Sequence, residues 1–197
     1  MARRSHAERT AETRGRVIRA VVESIGEVGY QRTTSARIAE RAGVTWGAVQ
    51  HHFGDKDGIL MAVLQESFDR FAKRLADVPD AGAPLETRVS LFVDRSWEHF
   101  ASAHYRSTFE ILLNLPPDLP TSWQGGMLEA WSEIWSRYFP AARRSRRRTL
   151  DLMHYTISVL SGLAATRMLE GEAAAARGSE LGFLKETLVR ELGRGAA

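Results

Sequence analysis

The sequence predicts an all-α fold, with an N-terminal three-helix domain carrying a helix-turn-helix and a C-terminal helical bundle. Three observations carry this expectation. Apolar residues recur at i, i+3, i+4 and i+7 along every long segment, as in helices with one buried stripe. No run alternates with the period of two that a half-buried strand needs. All six prolines lie between residues 79 and 140, which leaves long stretches on either side free to be helix. With 197 residues, 44% hydrophobic and 26% charged, the chain is long enough for a small module, expected at 1–55, and a larger body at 56–197. Cysteine is absent, which excludes disulfides and thiolate metal sites and suits a cytoplasmic protein. The charged start MARRSHAERTAETRGR has no apolar run behind it, and no 18-residue apolar stretch occurs, so no membrane partner is expected.

The elements follow in order. Val17, Ile18, Val21, Val22, Ile25 and Val28 form the buried stripe of a first helix, which Gly29 stops. TTSARIAERAG gives a short second helix, with Thr33 or Thr34 as its cap, Ile38, Ala39 and Ala42 as its inner face and Gly43 as a left-handed exit. Thr45 caps a third helix that runs to about Phe53 and is only ~12 Å long at 1.5 Å per residue. After a GDK turn, Ile59, Leu60, Val63, Leu64, Phe68, Phe71 and Leu75 mark a longer fourth helix toward Pro79. DVPDAGAP breaks the chain, and helix resumes through Leu85, Val89, Phe92, Val93, Trp97 and Phe100. LPPDLP (115–120) is the second break. An aromatic face follows, from Trp123 to Tyr138, ended by Pro140, and the last two helices are expected at 146–170 and 179–193.

The net charge of +3 hides an asymmetry: residues 1–56 hold ten Lys or Arg against six Asp or Glu, and the remainder 17 against 18. Positive charge concentrated in one end module favours a polyanionic partner. The same module meets the demands of a helix-turn-helix corner, with a small residue where the helices touch (Ala39), a glycine for positive φ (Gly43), and Ile38, Ala42, Val44 and Val49 to lock the pair onto a supporting helix. That leaves Thr45, Trp46, Gly47, Ala48, Gln50, His51 and His52 for the outward face of the third helix. Adjacent histidines on a helix point about 100° apart, and no carboxylate or third histidine is near in sequence, so His51 and His52 read poorly as a metal pair.

The stretch GYQRTTSARIAERAGVTWGAVQHHFGDKDGIL resembles the DNA-binding domain of the tetracycline-repressor (TetR) family of bacterial regulators. Gly29-Tyr30, Thr33-Thr34, Ile38-Ala39, Ala42-Gly43-Val44, Gly47, His52-Phe53, Lys56 and Leu60 carry the resemblance over about residues 14–64. It implies an effector-responsive transcription factor, usually a homodimeric repressor, released from a palindromic DNA operator by a small molecule. On the physical side, Thr33, Thr34 and Ser35, with Arg37, can offer hydroxyls, a cation and free backbone N–H groups to phosphate at a helix start, and Lys56 adds another cation. Thr45, Trp46, Ala48 and Gln50 would face base edges or the sugar wall of the major groove. Gly47 allows close backbone approach, His51 gives an imidazole N–H to phosphate, and His52 turns inward. Gln50 stands where many family members carry tyrosine, and Trp46 where a small or basic residue is common. Glutamine can pair with adenine, worth about 1–3 kcal/mol of discrimination.

In the body, Trp97, Phe100, Tyr105, Phe109, Trp123, Met127, Trp131, Trp135 and Tyr155 are the candidates to line a pocket for an apolar or aromatic effector, with His99, His104 and Glu110 for polar contacts. The resemblance places a homodimer interface on the last two helices, whose periodicity permits a four-helix bundle. The run from Arg143 to Arg148 reads as a solvated helix start more readily than as a second DNA site. An enzyme would need Asp94, Glu98, His99 and His104 as a metal or acid–base cluster, but His99 turns away from Glu98 and no H-E-x-x-H pattern occurs. No catalytic residue, metal or cofactor is therefore expected. The remaining alternative is a small-molecule carrier whose helix-turn-helix does not bind DNA.

Overall fold

The structure, a computed structural model, describes residues 5–115, 121–140, 146–170 and 177–194, with the side chains of 121–124 excepted. Every regular element among them is helical. Helix α1 (His6–Val28) begins well before its apolar stripe, because Ser5 and Glu8 close a capping box: Glu8 N–H donates to Ser5 Oγ at 3.2 Å and Ser5 N–H to Glu8 Oε2 at 2.6 Å. Residues 6–16, which apolar periodicity leaves unassigned, are thereby helix. Gly29 ends it at φ 79°, and a 3-10 turn, Tyr30–Arg32, leads to α2 (Ser35–Ala42). Next come α3 (Trp46–Phe53), α4 (Lys56–Arg74) with a 3-10 turn at Leu75–Asp77, α5 (Leu85–Phe100) and α6 (Ala103–Leu113). The last three are α7 (Thr121–Tyr138), α8 (Arg146–Glu170) and α9 (Gly178–Gly193).

The separation of α5 from α6 is the departure from the helix reading of the sequence. Ser102 N–H and Oγ both bond the His99 carbonyl, at 3.0 and 2.7 Å, and close the end of α5 where neither glycine nor proline marks a break.

Two compact units result. The first joins Met1–Arg70 to Ala103–Leu115, and the second joins Phe71–Ser102 to Pro116–Ala197. The boundary expected at residue 55 thus falls inside the first unit. The reason is physical: the first part of α4 buries Ile59, Leu60, Val63 and Leu64, and α6 packs on α1. Ser107 Oγ donates to the Val22 carbonyl at 2.9 Å, Tyr30 N–H to Glu110 Oε2 at 3.0 Å, and Gln31 Nε2 to Asn114 Oδ1 at 2.8 Å.

In the second unit α5 lies along α9, with Val89, Phe92 and Val93 buried on one helix and Leu181, Leu184, Leu188 and Leu192 on the other. Lys185 closes this seam on Asp94 at 2.7 Å. An aromatic core builds outward from α5 to α7: Phe92 meets Trp135 edge-on at 5.7 Å and Phe139 at 5.1 Å, while Phe71 lies 4.4 Å from Trp131. Tyr138 is buried and donates its hydroxyl to the Leu75 carbonyl at 2.7 Å, which satisfies its polar tip.

Candidate nucleic-acid interface

The corner between α2 and α3 forms as its residues require. Gly43 takes φ 64° and ψ 39°, the left-handed region, and Val44 N–H closes on the Ala39 carbonyl at 3.1 Å. Ile38, Ala39, Ala42 and Val49 are buried. Thr34 caps α2 by accepting from Arg37 N–H at 3.3 Å, and Thr45 caps α3 by accepting from Ala48 N–H at 3.2 Å. Of the α3 side chains only Val49 is fully buried, so one residue anchors the helix while the others are half-buried or exposed.

Around that anchor Thr45, Gly47, Gln50 and His51 are exposed, and Trp46, Ala48 and His52 half-buried. Thr34 is exposed and Ser35 and Arg37 half-buried. Thr33 differs: it is buried, and its hydroxyl donates to the Gly29 carbonyl at 3.0 Å, so of the two candidate threonines Thr34 is the cap and Thr33 a structural tie. Arg37 donates to Glu27 at 3.1 Å, and Arg41 bridges Glu27 and Glu23. Its guanidinium, followed by that of Arg37, holds the Glu27 carboxyl below the usual carboxylate range. Glu23 and Glu27 on α1, and Arg37 and Arg41 on α2, are each four apart, a complementary pattern visible in the sequence but not drawn from it.

Lys56 opens α4 with its ammonium 4.9 Å from the centre of the Tyr30 ring, a cation–π contact that holds it at the helix start. His52 is held below its ordinary proton affinity, first by burial and then by the charges of His51, Arg14 and His6. Arg14, absent from the sequence-derived candidates, donates to the His52 carbonyl at 2.5 Å and lies 4.4 Å over the Phe53 ring. A contact spanning 38 residues leaves no local signal.

The candidates for an effector pocket divide between the units. Tyr105 and Phe109, 6.1 Å apart on α6, belong to the first, while Trp97, Phe100, Met127, Trp131 and Trp135 belong to the second. Phe100 and Trp135 are core residues, and Trp97, Met127 and Trp131 are half-buried. The Trp123 side chain lies outside the described residues. Tyr155 is 44% exposed and lines an open cleft of about 440 Å³ between α8 and α9, apart from the aromatic core. Glu110 serves the fold through Tyr30 N–H, and His99 is buried beside Phe71 and Phe100.

The carboxylates of the enzyme alternative are engaged elsewhere: Asp94 pairs with Lys185, and Glu98 with Arg74 and Arg95. Among the described residues no group of three His, Asp or Glu side chains is arranged to hold a metal ion. None of the described helices is long and apolar enough to cross a membrane. Of the arginine run, Arg143 and Arg144 lie outside the described residues, Arg146 and Arg147 are exposed, and Arg148 pairs with Glu191.

Comparison with known proteins points the same way as the corner. Residues 17–63 match the model of bacterial regulatory proteins of the tetR family. The HTH-type transcriptional regulator BetI of Escherichia coli is 35% identical over 102 residues, covering 44% of this chain and 52% of the relative. BetI of Burkholderia mallei is 42% identical over 103 residues, covering 45% and 53%. The chain spans about half the length of the curated relatives it matches. Among solved structures, a multidrug binding protein, EbrR, crystallised with imidazole, aligns with TM-score 0.67 at 17% identity, covering 90% of this chain and 93% of that one. NalD of Pseudomonas aeruginosa, the secondary repressor of the MexAB-OprM multidrug efflux pump, aligns with TM-score 0.62 at 19% identity, covering 95% and 97%. These likenesses establish the fold over nearly the whole chain, and residues 17–63, which hold the α2–α3 corner, are similar to the bacterial regulatory proteins of the tetR family.

Proposed function

We propose that this chain is a cytoplasmic transcriptional repressor that binds a palindromic DNA operator as a homodimer and is released by a small apolar or aromatic effector. One observation carries the reading: α3 presents Thr45, Gly47, Gln50 and His51 outward from a single buried anchor, Val49, on a corner set by Gly43. A helix so held enters a major groove N-terminus first, with Trp46, Ala48 and Gln50 toward bases and Thr34, His51 and Lys56 toward phosphates.

The effector is assigned to the second unit, where Trp97, Met127 and Trp131 are half-buried and supply apolar surface, with Phe100 and Trp135 in the core. Trp135 Nε1 and Ser96 Oγ are buried there with no acceptor among the described residues, and each such donor costs about 1–3 kcal/mol until one arrives. An uncharged ligand with an accepting oxygen or nitrogen would relieve that cost. Two solved neighbours, a multidrug binding protein and the repressor of a multidrug efflux pump, support a ligand of this kind. A ligand releases DNA only to the extent that it binds the DNA-incompetent conformation more tightly. The homodimer is assigned to α8 and α9, supported by the exposed apolar residues Tyr155, Leu169 and Phe183 on these two helices.

Selection of duplexes from random-sequence DNA tests the reading. An inverted repeat with half-site centres about 34–36 Å apart, or a multiple, is expected, with affinity falling steeply as salt rises. Ligand binding without salt-sensitive DNA affinity would instead identify a carrier.

A further inference from the structure

α3 is eight residues long, and only one of its side chains is buried. So short a helix takes its direction from whatever holds its two ends. The N-terminal end is held locally, by Thr45 and the Gly43 corner. The C-terminal end presents carbonyls with no intrahelical donor and the negative end of the helix dipole. Gly54 N–H takes the Gln50 carbonyl at 2.8 Å. The His52 carbonyl instead receives Nη1 of Arg14, at 2.5 Å, from a different helix. The same guanidinium stacks on Phe53, the last residue of α3, at 4.4 Å.

From this geometry we infer that Arg14 is a positioning residue for DNA reading: its guanidinium fastens the C-terminal end of α3 to α1 and so fixes the angle at which Trp46 and Gln50 are presented. The inference rests on the DNA-binding reading for its consequence, but the fastening itself is a property of the free protein. A flat, forked cation can donate in its plane to a carbonyl while its face covers a ring, which an ammonium cannot reproduce. Arg14 is half-buried on α1 and turned to this contact, so its charge is spent on the protein rather than on a phosphate.

The test uses the full-length chain and its R14A and R14K variants, with two readouts. The first is the ratio of affinities for a duplex selected from random DNA and for a scrambled duplex, measured across a salt series. A positioning role lowers that ratio about ten-fold in R14A, leaves the salt slope unchanged, and is not restored in R14K. A phosphate contact would weaken both duplexes equally, reduce the slope by about one and be restored by lysine, overturning the inference. The second readout needs no DNA. Amide hydrogen exchange over residues 50–54 should quicken at least ten-fold in R14A while residues 18–25 of α1 stay protected. Unchanged exchange at 50–54, or a rise spread evenly over both segments, overturns the fastening. If the unsubstituted chain retains no duplex, the DNA-binding reading fails by itself, and the exchange result still decides whether Arg14 holds α3.

Discussion

Gln50 and Lys56 lie close in sequence yet have different work on the proposed interface, and single substitutions separate them. Gln50 is exposed on α3 with its amide available to a base edge. Gln50→Ala is expected to relax preference at one or two operator positions by about 1–3 kcal/mol and to leave scrambled duplexes unaffected. Lys56 offers only charge from its perch on Tyr30. Lys56→Ala should weaken all sequences about equally and lower the salt slope by about one. Equilibrium binding to selected and scrambled duplexes reads both effects, and the opposite pattern would reverse the roles. His104 gives a pH prediction. Burial, followed by the nearby Arg70 charge, holds its proton affinity below the ordinary value, and Glu66 opposes this only in part. Its Nε2 is buried without a partner among the described residues. The folded state therefore prefers the neutral ring. That contribution to stability is complete above the unfolded value near 6.5 and is lost as pH falls below it. Urea unfolding at pH 7.5 and 5.5 should show the loss, and His104→Gln should lessen it.

At the scale of the helix and its ends, two glycines bear different constraints. A Cβ at Gly43 meets no heavy atom within 4 Å, so Gly43→Ala is opposed only by its left-handed backbone, about 1–2 kcal/mol. A Cβ at Gly58, in the first turn of α4, would run into the Phe53 carbonyl, which belongs to the backbone and cannot swing aside. Gly58→Ala should destabilise more than Gly43→Ala, as judged from urea midpoints at constant m-value. These ends also show what a sequence discloses. The cap at Thr45, a cap at Thr33 or Thr34 and the turn at Gly43 were legible because the atoms involved lie within a few residues of one another. The end of α5 was not, since Ser102 closes it with no glycine or proline to announce it. Arg14 escaped notice because its partner is 38 residues away. Aromatic periodicity marked Phe100 and Trp135 as inward-facing, but a stripe looks the same whether it packs on protein or on a ligand.

For the molecule as a whole, the all-helical class followed from periodicity and from proline placement, whereas the division into units did not. No local pattern tells that α6 belongs with α1, because that bond is made by Ser107, Glu110 and Asn114 reaching residues 80 or more positions earlier. Association of two copies makes its own prediction. Phe183 on α9 is 69% exposed. Phe183→Asp should give the mass of one chain in sedimentation equilibrium, with an unchanged helical circular dichroism spectrum. Affinity for the selected inverted repeat should fall far more than affinity for a single half-site.

The first unit is assembled from two stretches of chain, with Phe71–Ser102 emerging between them. A gene fusion that transplants only the opening 70 codons would strip away α6 and leave the Tyr30 amide and the Val22 carbonyl without the donors and acceptors they now use. The first unit is therefore no detachable cassette. Any chimera that exchanges it between chains of this fold has to bring residues 103–115 along or refit that helix to its new host.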